Sequence, residues 1–164
     1  MIRKLISRVL GRKKAGASEP AVVPANRHGI RRDDLSSGSR RTVETLQQHG
    51  YKAYVVGGAV RDLLAGIKPK DFDVATNATP EQVRHCFRRS RIIGRRFKIV
   101  HVMSGPETIE VSTFRASQDA ETADPDEHGR VLRGTVFGNQ EEDAPRRDFP
   151  VHALYYAPGT ATIL

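Results

Sequence analysis

Two aspartates separated by one residue are the side chains of this sequence best suited to chemistry. Asp71 and Asp73 alternate with Phe72 and Val74, so a short strand here would direct both carboxylates to one face. Two carboxylates this close repel each other unless a cation or a shared proton lies between them. Mg²⁺ suits such a pair, because it is commonly bound through one or two carboxylates and substrate phosphates. Taken alone, the pair favours a solvated edge strand or turn with two unrelated aspartates.

A glycine pair precedes the aspartates and follows an apolar run that ends at Val56. The stretch after Gly57 and Gly58 has helical spacing up to Gly66, so the pattern predicts a strand, a tight turn and a helix. Glycine lets the backbone approach a ligand closely, and the start of a helix favours an anion. Arg61 adds a forked cationic donor that matches phosphate. On local grounds such a pattern more often marks only a tight turn.

A third carboxylate lies in a predicted β-hairpin. Residues 98–103 and 108–114 are strand-like, and the turn signal Ser-Gly-Pro-Glu at 104–107 joins them. Glu110 lies in the middle of the second run, on its more polar face. The hairpin therefore adds a candidate active-site acid, and an exposed strand glutamate is the alternative of about equal weight.

Four linked motifs resemble the head domain of class II nucleotidyltransferases of the polymerase β superfamily. The motifs are YVVGGAVRDLL, KPKDFDVATNATPEQVR, IGRRFKIVHVMSGPETIEVSTFR, and EEDAPRRDF followed by ALYY. This family contains the bacterial poly(A) polymerases and the CCA-adding tRNA nucleotidyltransferases. The HGIRRDDLS, GRRF and HVMSGPE stretches are more similar to the poly(A) polymerases. The resemblance implies an α/β (α+β) fold with a small mixed sheet. The sequence predicts flanking helices near 39–48, 59–65 and 80–89, the last with Thr79 as its cap and Pro80 in its first position.

The resemblance implies a role for each residue that matches a family motif. Asp71 and Asp73 match the metal-binding pair, and Glu110 matches a further active-site carboxylate, also counted as a metal ligand. Asp148, in the Arg-Arg-Asp-Phe motif, is implied to be catalytic. The residues implied to bind the nucleotide are Gly57, Gly58, Arg61, Asp62 and Arg147, with Lys70 as an additional phosphate contact or, alternatively, an exposed loop lysine.

The implied reaction is the template-independent addition of AMP from ATP to RNA 3′ ends, in RNA processing and decay. Two Mg²⁺ ions, for which Mn²⁺ can substitute, would activate the RNA hydroxyl and stabilise the departing pyrophosphate. No protein nucleophile is needed, and Cys86 and the histidines, which lack zinc-ligand spacing, are interpreted as structural or surface residues. One alternative is a CCA-adding tRNA nucleotidyltransferase. The other is an inactive RNA- or nucleotide-binding module.

Positive charge is concentrated at the start of the chain. Residues 1–32 contain nine Lys or Arg and one acid, which accounts for the whole formal excess of +8. We expect residues 1–26 to form a disordered basic tail ahead of a head domain at 27–164. The alternative is a short amphipathic helix that touches RNA or an anionic surface.

A second basic cluster lies inside the expected domain, with no acid between its members. It contains Arg84, Arg88, Arg89, Arg91, Arg95, Arg96 and Lys98. We expect sequence-independent RNA affinity from this cluster, with Arg95, Arg96 and Lys98 as the preferred RNA contacts. A solvated basic helix face is an equally weighted alternative.

Composition and length limit what else the chain can be. Of 164 residues, 38% are hydrophobic, which suits one modest core. A single cysteine excludes an internal disulfide, and we expect no disulfide-linked partner and a reducing, cytoplasmic location. No run is apolar enough to span a membrane. Residues 116–129 hold five acids and no Lys or Arg, which predicts a surface loop. Because the chain ends at Leu164, we expect the family's neck, body and tail domains to be absent.

Overall fold

A mixed β-sheet with helices packed on it forms the framework. The computed structural model describes residues 21–95, 97–115, 140–144 and 153–164. The helices are α1 (Ala25–His28), α2 (Ser37–Gln48), α3 (Gly58–Leu64), α4 (Pro80–Cys86) and α5 (Gln140–Asp143), with a 3-10 turn at Arg32–Asp34. The strands are β1 (Ala53–Val56), β2 (Asp73–Thr76), β3 (Ser90–Ile93), β4 (Ile99–Ser104), β5 (Glu107–Thr113), β6 (Tyr155–Ala157) and β7 (Thr162–Ile163). The predicted small mixed sheet flanked by helices is confirmed.

The strand order places the two acidic strands side by side in the middle of the sheet. Across the described ranges the order is β3-β4-β5-β2-β1-β6-β7. Strands β2 and β5 pair in parallel, and the other neighbouring pairs are antiparallel. A parallel pair needs a crossover connection, and here α4, β3 and β4 lie between the two strands in the chain.

The two faces of the sheet are packed differently. One face carries Val55, Val74 and Val111, which pair across β1, β2 and β5 and belong to the larger hydrophobic cluster. Leu46 of α2 and Val83 of α4 are buried in the same cluster, so these helices cover that face. The opposite face carries a smaller cluster of buried residues, which consists of Val56, Ala75, Phe114 and Tyr155. That second face therefore has room for polar side chains.

Helix α4 begins where the sequence predicts and ends earlier. The Thr79 side chain accepts a hydrogen bond from the Gln82 backbone N–H, and Gln82 closes the capping box, with Pro80 in the first turn. The prediction that this helix reaches Arg89 is wrong. Phe87 is extended (φ −125°, ψ 112°), and the chain then pairs as edge strand β3 against β4. Strand pairing therefore overrides the helical propensity of the arginines.

Two other boundaries differ from the sequence prediction. The strand predicted at 71–74 begins two residues later, at Asp73, so Asp71 lies in the segment that leads into β2. The predicted hairpin is confirmed, with its turn at Gly105 and Pro106. Of the predicted N-terminal tail, residues 1–20 lie outside the described residues. Val23 is buried and pairs with Ile163, so packing on the sheet begins before the expected boundary at residue 27.

Two predicted segments lie wholly outside the described residues. The acidic loop at 116–129 and the Arg-Arg-Asp-Phe motif at 146–149 lie among residues that the structure does not describe. In the described ranges, no helix has the length and apolar character needed to cross a membrane.

Two hydrogen bonds of the Thr76 hydroxyl stabilise the turn after β2. Its Oγ1 donates to the Lys52 carbonyl at 2.6 Å and accepts from the Ala78 N–H at 3.1 Å, and the side chain is fully buried. Thr76→Val keeps the shape and leaves the Ala78 N–H unpaired, so we expect a loss of about 1–3 kcal/mol in the free energy of unfolding. Denaturant titration measures it. The exposed Thr108→Val is the control, and an equal loss in both variants would contradict this assignment.

Candidate active site

A row of polar side chains crosses the sheet on its less covered face. Asp73 of β2 pairs with Glu110 of β5, Glu110 pairs with His101 of β4, and His101 pairs with Arg91 of β3. Residues that pair directly across strands project to the same face. Asp73 and Glu110, which are 37 positions apart in the sequence, are therefore neighbours, and the row changes from acidic to basic toward the sheet edge.

The three predicted carboxylates differ in their surroundings. Asp73 is half-buried, whereas Asp71 and Glu110 are exposed. Phe72, between the two aspartates, is buried in the larger cluster. The Oε1 atom of Glu110 lies 3.1 Å from Nε2 of His101. The sheet thus pairs Asp73 with Glu110 directly, whereas Asp71 lies before β2 and takes no part in this pairing.

The glycine turn lies against the carboxylate of Asp73. Val56 pairs with Asp73, so Gly57 follows at the end of β1 beside the row. Gly57 has φ 74° and ψ −143°, a conformation that essentially only glycine adopts. A Cβ built on Gly57 would lie 3.7 Å from Oδ2 of Asp73. The turn therefore brings bare backbone next to the acid, and the predicted strand, turn and helix are confirmed.

Arg61 folds back over the second glycine. A Cβ built on Gly58 would lie 3.3 Å from Nη2 of Arg61. The guanidinium also contacts Asp62, with Nη2 at 3.0 Å and Nε at 3.1 Å from Oδ1. Three predicted nucleotide-binding residues, Gly58, Arg61 and Asp62, thus lie together in α3.

The remaining predicted site residues are less tightly grouped. Lys70 is exposed in the segment before β2, and Arg95 is exposed after β3. The Nζ atom of Lys98 lies 3.4 Å from Oε1 of Glu81, in an exposed ion pair. Arg96, Arg147 and Asp148 lie outside the described residues. Within the described ranges, no group of three or more His, Cys, Asp or Glu side chains is arranged to hold a metal ion.

Residues 53–164 match the family model described as the poly A polymerase head domain. The chain belongs to the poly(A) polymerase head-domain family. Poly(A) polymerase I of Escherichia coli O6:H1 is 47% identical over 98% of the chain and 36% of its own length. The CCA-adding enzyme of Geobacillus kaustophilus is 41% identical over 68% of the chain and 26% of its own length.

A solved structure confirms the head-domain fold. The Bacillus stearothermophilus CCA-adding enzyme in complex with CTP has a TM-score of 0.62 and 32% identity, and covers 78% of this chain and 30% of its own. The chain spans about a third of the length of the curated poly(A) polymerases that it matches.

Two residues of this head domain were not predicted to belong near the site. His101 was interpreted as structural or surface, yet it contacts Glu110. Counting outward from the turn at Gly105 and Pro106 pairs these two residues, so their contact could have been predicted from the sequence. Asp143 of α5 is buried and accepts hydrogen bonds from the Tyr155 hydroxyl at 2.6 Å and the Arg115 N–H at 3.1 Å. Asp143 lies in the EEDAPRRDF motif, in which roles were predicted only for Arg147 and Asp148.

Burial lowers the chemical reactivity of several side chains in the head domain. Burial raises the pKa of the Cys86 thiol, which disfavours its thiolate, and raises the pKa of the Tyr54 phenol on the less covered face. Buried His28 accepts from the Ile30 N–H at 2.9 Å and packs edge-on against Tyr156. The interpretation of His28 as structural is confirmed.

Replacing each glycine of the turn by alanine should change stability in opposite directions. Gly57→Ala would force a side chain into a conformation that disfavours one, so we expect a loss of about 1–3 kcal/mol in the free energy of unfolding. Gly58→Ala meets only the flexible end of Arg61 and lies in a helix, so we expect no loss and up to about 1 kcal/mol of gain. Denaturant unfolding of both variants measures the difference. Equal losses would show that Gly57 is not held at its positive φ.

The pair formed by Asp143 and Tyr155 joins helix α5 to strand β6 of the sheet. Tyr155→Phe removes a hydrogen bond to a carboxylate, and we expect a loss of about 1.5–3 kcal/mol in the free energy of unfolding. A double-mutant cycle with Asp143→Asn should give a coupling energy of about 1 kcal/mol or more. Tyr54→Phe, in the same aromatic cluster, is the matched partner and should be additive with Asp143→Asn. Additivity in the first cycle would show that the hydroxyl does not support Asp143.

Proposed function

We propose that this chain is the catalytic head of an RNA 3′-end adenylyltransferase that adds AMP from ATP without a template. The observation that carries the proposal is the pairing of Asp73 with Glu110 on adjacent parallel strands, beside the glycine turn at Gly57. This arrangement places acids that can bind a cation next to backbone that a triphosphate can approach. The match to poly(A) polymerase I over nearly the whole chain supports adenylate addition over CCA addition.

The carboxylates fit a Mg²⁺ site that substrate completes. Asp73 and Glu110 offer oxygen ligands from one face, and exposed Asp71 lies two residues before Asp73. Because Mg²⁺ is usually held by one or two carboxylates together with substrate phosphates, a protein cage of three acids is not required. When bound, Mg²⁺ or Mn²⁺ would lower the pKa of the attacking hydroxyl and neutralise charge on the leaving pyrophosphate.

The chain's own residues would position the reactants. The backbone at Gly57 and Gly58 leaves room for the triphosphate, and Arg61 offers a guanidinium to its oxygens while Asp62 orients that group. Lys70, Arg147 and Asp148 are proposed to complete the nucleotide site. Holding the RNA hydroxyl in line with the α-phosphate is worth a large share of the rate, since no covalent intermediate on the protein is needed.

Extension of labelled RNA by the purified chain tests the function. With Mg²⁺ and each nucleoside triphosphate supplied separately, we expect long tails with ATP alone. Asp73→Asn and Asp71→Asn should each slow extension by about 10²-fold or more, the scale of losing a preorganised charge-stabilising group. Gel electrophoresis of the products measures tail length and rate. Asp33→Asn, an exposed acid paired with Arg40, is the matched control and should extend normally.

A binding measurement separates loss of chemistry from loss of substrate. Fluorescent ATP should bind the chain more tightly with Mg²⁺ or Mn²⁺ than without, and Asp73→Asn should abolish that difference. Products that stop after CTP and ATP addition on tRNA would identify a CCA-adding enzyme instead. If ATP binding did not depend on metal and no nucleotide extended the RNA, the chain would be an inactive binding module.

A further inference from the structure

Four arginines surround one cavity at the edge of the sheet, apart from the carboxylates. Its volume is about 420 Å³, within the range of roughly 300–1,000 Å³ typical of small-ligand sites. The lining consists of Arg84, Arg88, Arg89, Ser90, Arg91, Ile92 and Met103. The cavity thus combines a cationic rim with two partly buried apolar side chains.

The four guanidinium groups lack a negative partner in the described part of the chain. None of these arginines forms an ion pair there, although ion pairs are seen at Arg32, Arg40 and Arg61. Glu81, the one acid between residues 80 and 93, is engaged by Lys98 at 3.4 Å. Grouped cations without acids create a positive potential that attracts anions.

The backbone that presents the arginines is fixed at both ends. The Ser90 hydroxyl donates to the Phe87 carbonyl at 2.7 Å, which closes the bend containing Arg88 and Arg89. The Met103 N–H donates to the Arg89 carbonyl at 2.9 Å, which attaches the same bend to β4. A fixed backbone reduces the entropy lost when a ligand binds.

We propose that this arginine cavity binds the phosphodiester backbone of single-stranded RNA, upstream of the reacting 3′ end. Guanidinium forks match phosphate oxygens, and Met103, on the same face of the sheet as Arg91 and His101, offers apolar surface that suits a nucleobase. The inference rests on the proposed function, which supplies RNA as the substrate. It adds a second contact region on the head, distinct from the nucleotide site.

The register of the sheet links the cavity to the carboxylates. Arg91 projects to the same face as Asp73, because both belong to the row that also contains Glu110 and His101. Three strand spacings separate Arg91 from Asp73, roughly 14 Å. An RNA strand that crosses the sheet along this row would have its 3′ end at the acids and an upstream phosphate at the arginines.

The salt dependence of RNA binding tests the proposal. We compare the full chain with Arg88→Gln/Arg91→Gln, using fluorescence anisotropy of labelled oligoadenylate without nucleoside triphosphate. Each phosphate contact to a single strand contributes about 0.7 to the slope of log affinity against log salt. The double variant should therefore lose roughly 1.4 in slope and bind roughly 25-fold more weakly at about 0.1 M salt. An unchanged slope would overturn the proposal.

Charge-matched variants separate a site from a general loss of positive charge. Arg27→Gln/Arg41→Gln removes two exposed arginines elsewhere and should keep the slope within about 0.3 of the parent. Arg88→Lys/Arg91→Lys keeps the charge and should restore the slope with weaker affinity, because an ammonium lacks the planar fork. If Arg27→Gln/Arg41→Gln lowered the salt slope as much as Arg88→Gln/Arg91→Gln, the proposal of a specific RNA site would be overturned. Equal displacement of RNA by polyglutamate would show that the cavity accepts any acidic chain.

Failure of this inference can be told from failure of the proposed function. A chain that binds RNA through Arg88 and Arg91 but adds no nucleotide keeps the inference and refutes the function. A chain that adds adenylate and binds RNA independently of these arginines refutes the inference alone.

Discussion

The parallel pairing of β2 with β5 is the constraint on which the rest of the site depends. Val74 and Val111 pair across these strands and are buried against the helices, so the alternate residues Asp73 and Glu110 must face the other way. A slip of one residue would bury the acids and expose the valines, which would cost both charge desolvation and apolar burial. The larger core therefore fixes the geometry of carboxylates that it does not contact.

The uneven covering of the two faces explains where polar chemistry is tolerated. Helices cover one face, while the other has a small aromatic cluster at one end, held in part by Asp143, and an open row of polar residues. Along that row the charge changes from the acid at Asp73 to the cation at Arg91. A cation would be attracted to one end and a phosphate chain to the other, so both ends favour one orientation of a nucleic acid.

Local sequence signals located most elements and misplaced some of their ends. The glycine turn after β1, the cap at Thr79 and the hairpin turn at Gly105 are set by residues within a few positions of each other, and all were predicted. The end of α4 was misplaced, because pairing of Ser90 with Val102 stops a helix that the arginines alone would extend. Strands β6 and β7 carried no pattern strong enough to predict.

The sequence by itself determined which groups are available: two aspartates separated by one residue, a glycine pair, a glutamate in a hairpin, and a run of arginines without acids. It also held the contact between His101 and Glu110, since hairpin pairing follows from the turn. Only the tertiary structure brought Asp73 to Glu110 and gathered four arginines around one cavity. The reason is physical. The register of a parallel strand pair depends on the burial of side chains that are distant in the sequence, so it cannot be predicted from local residue spacing.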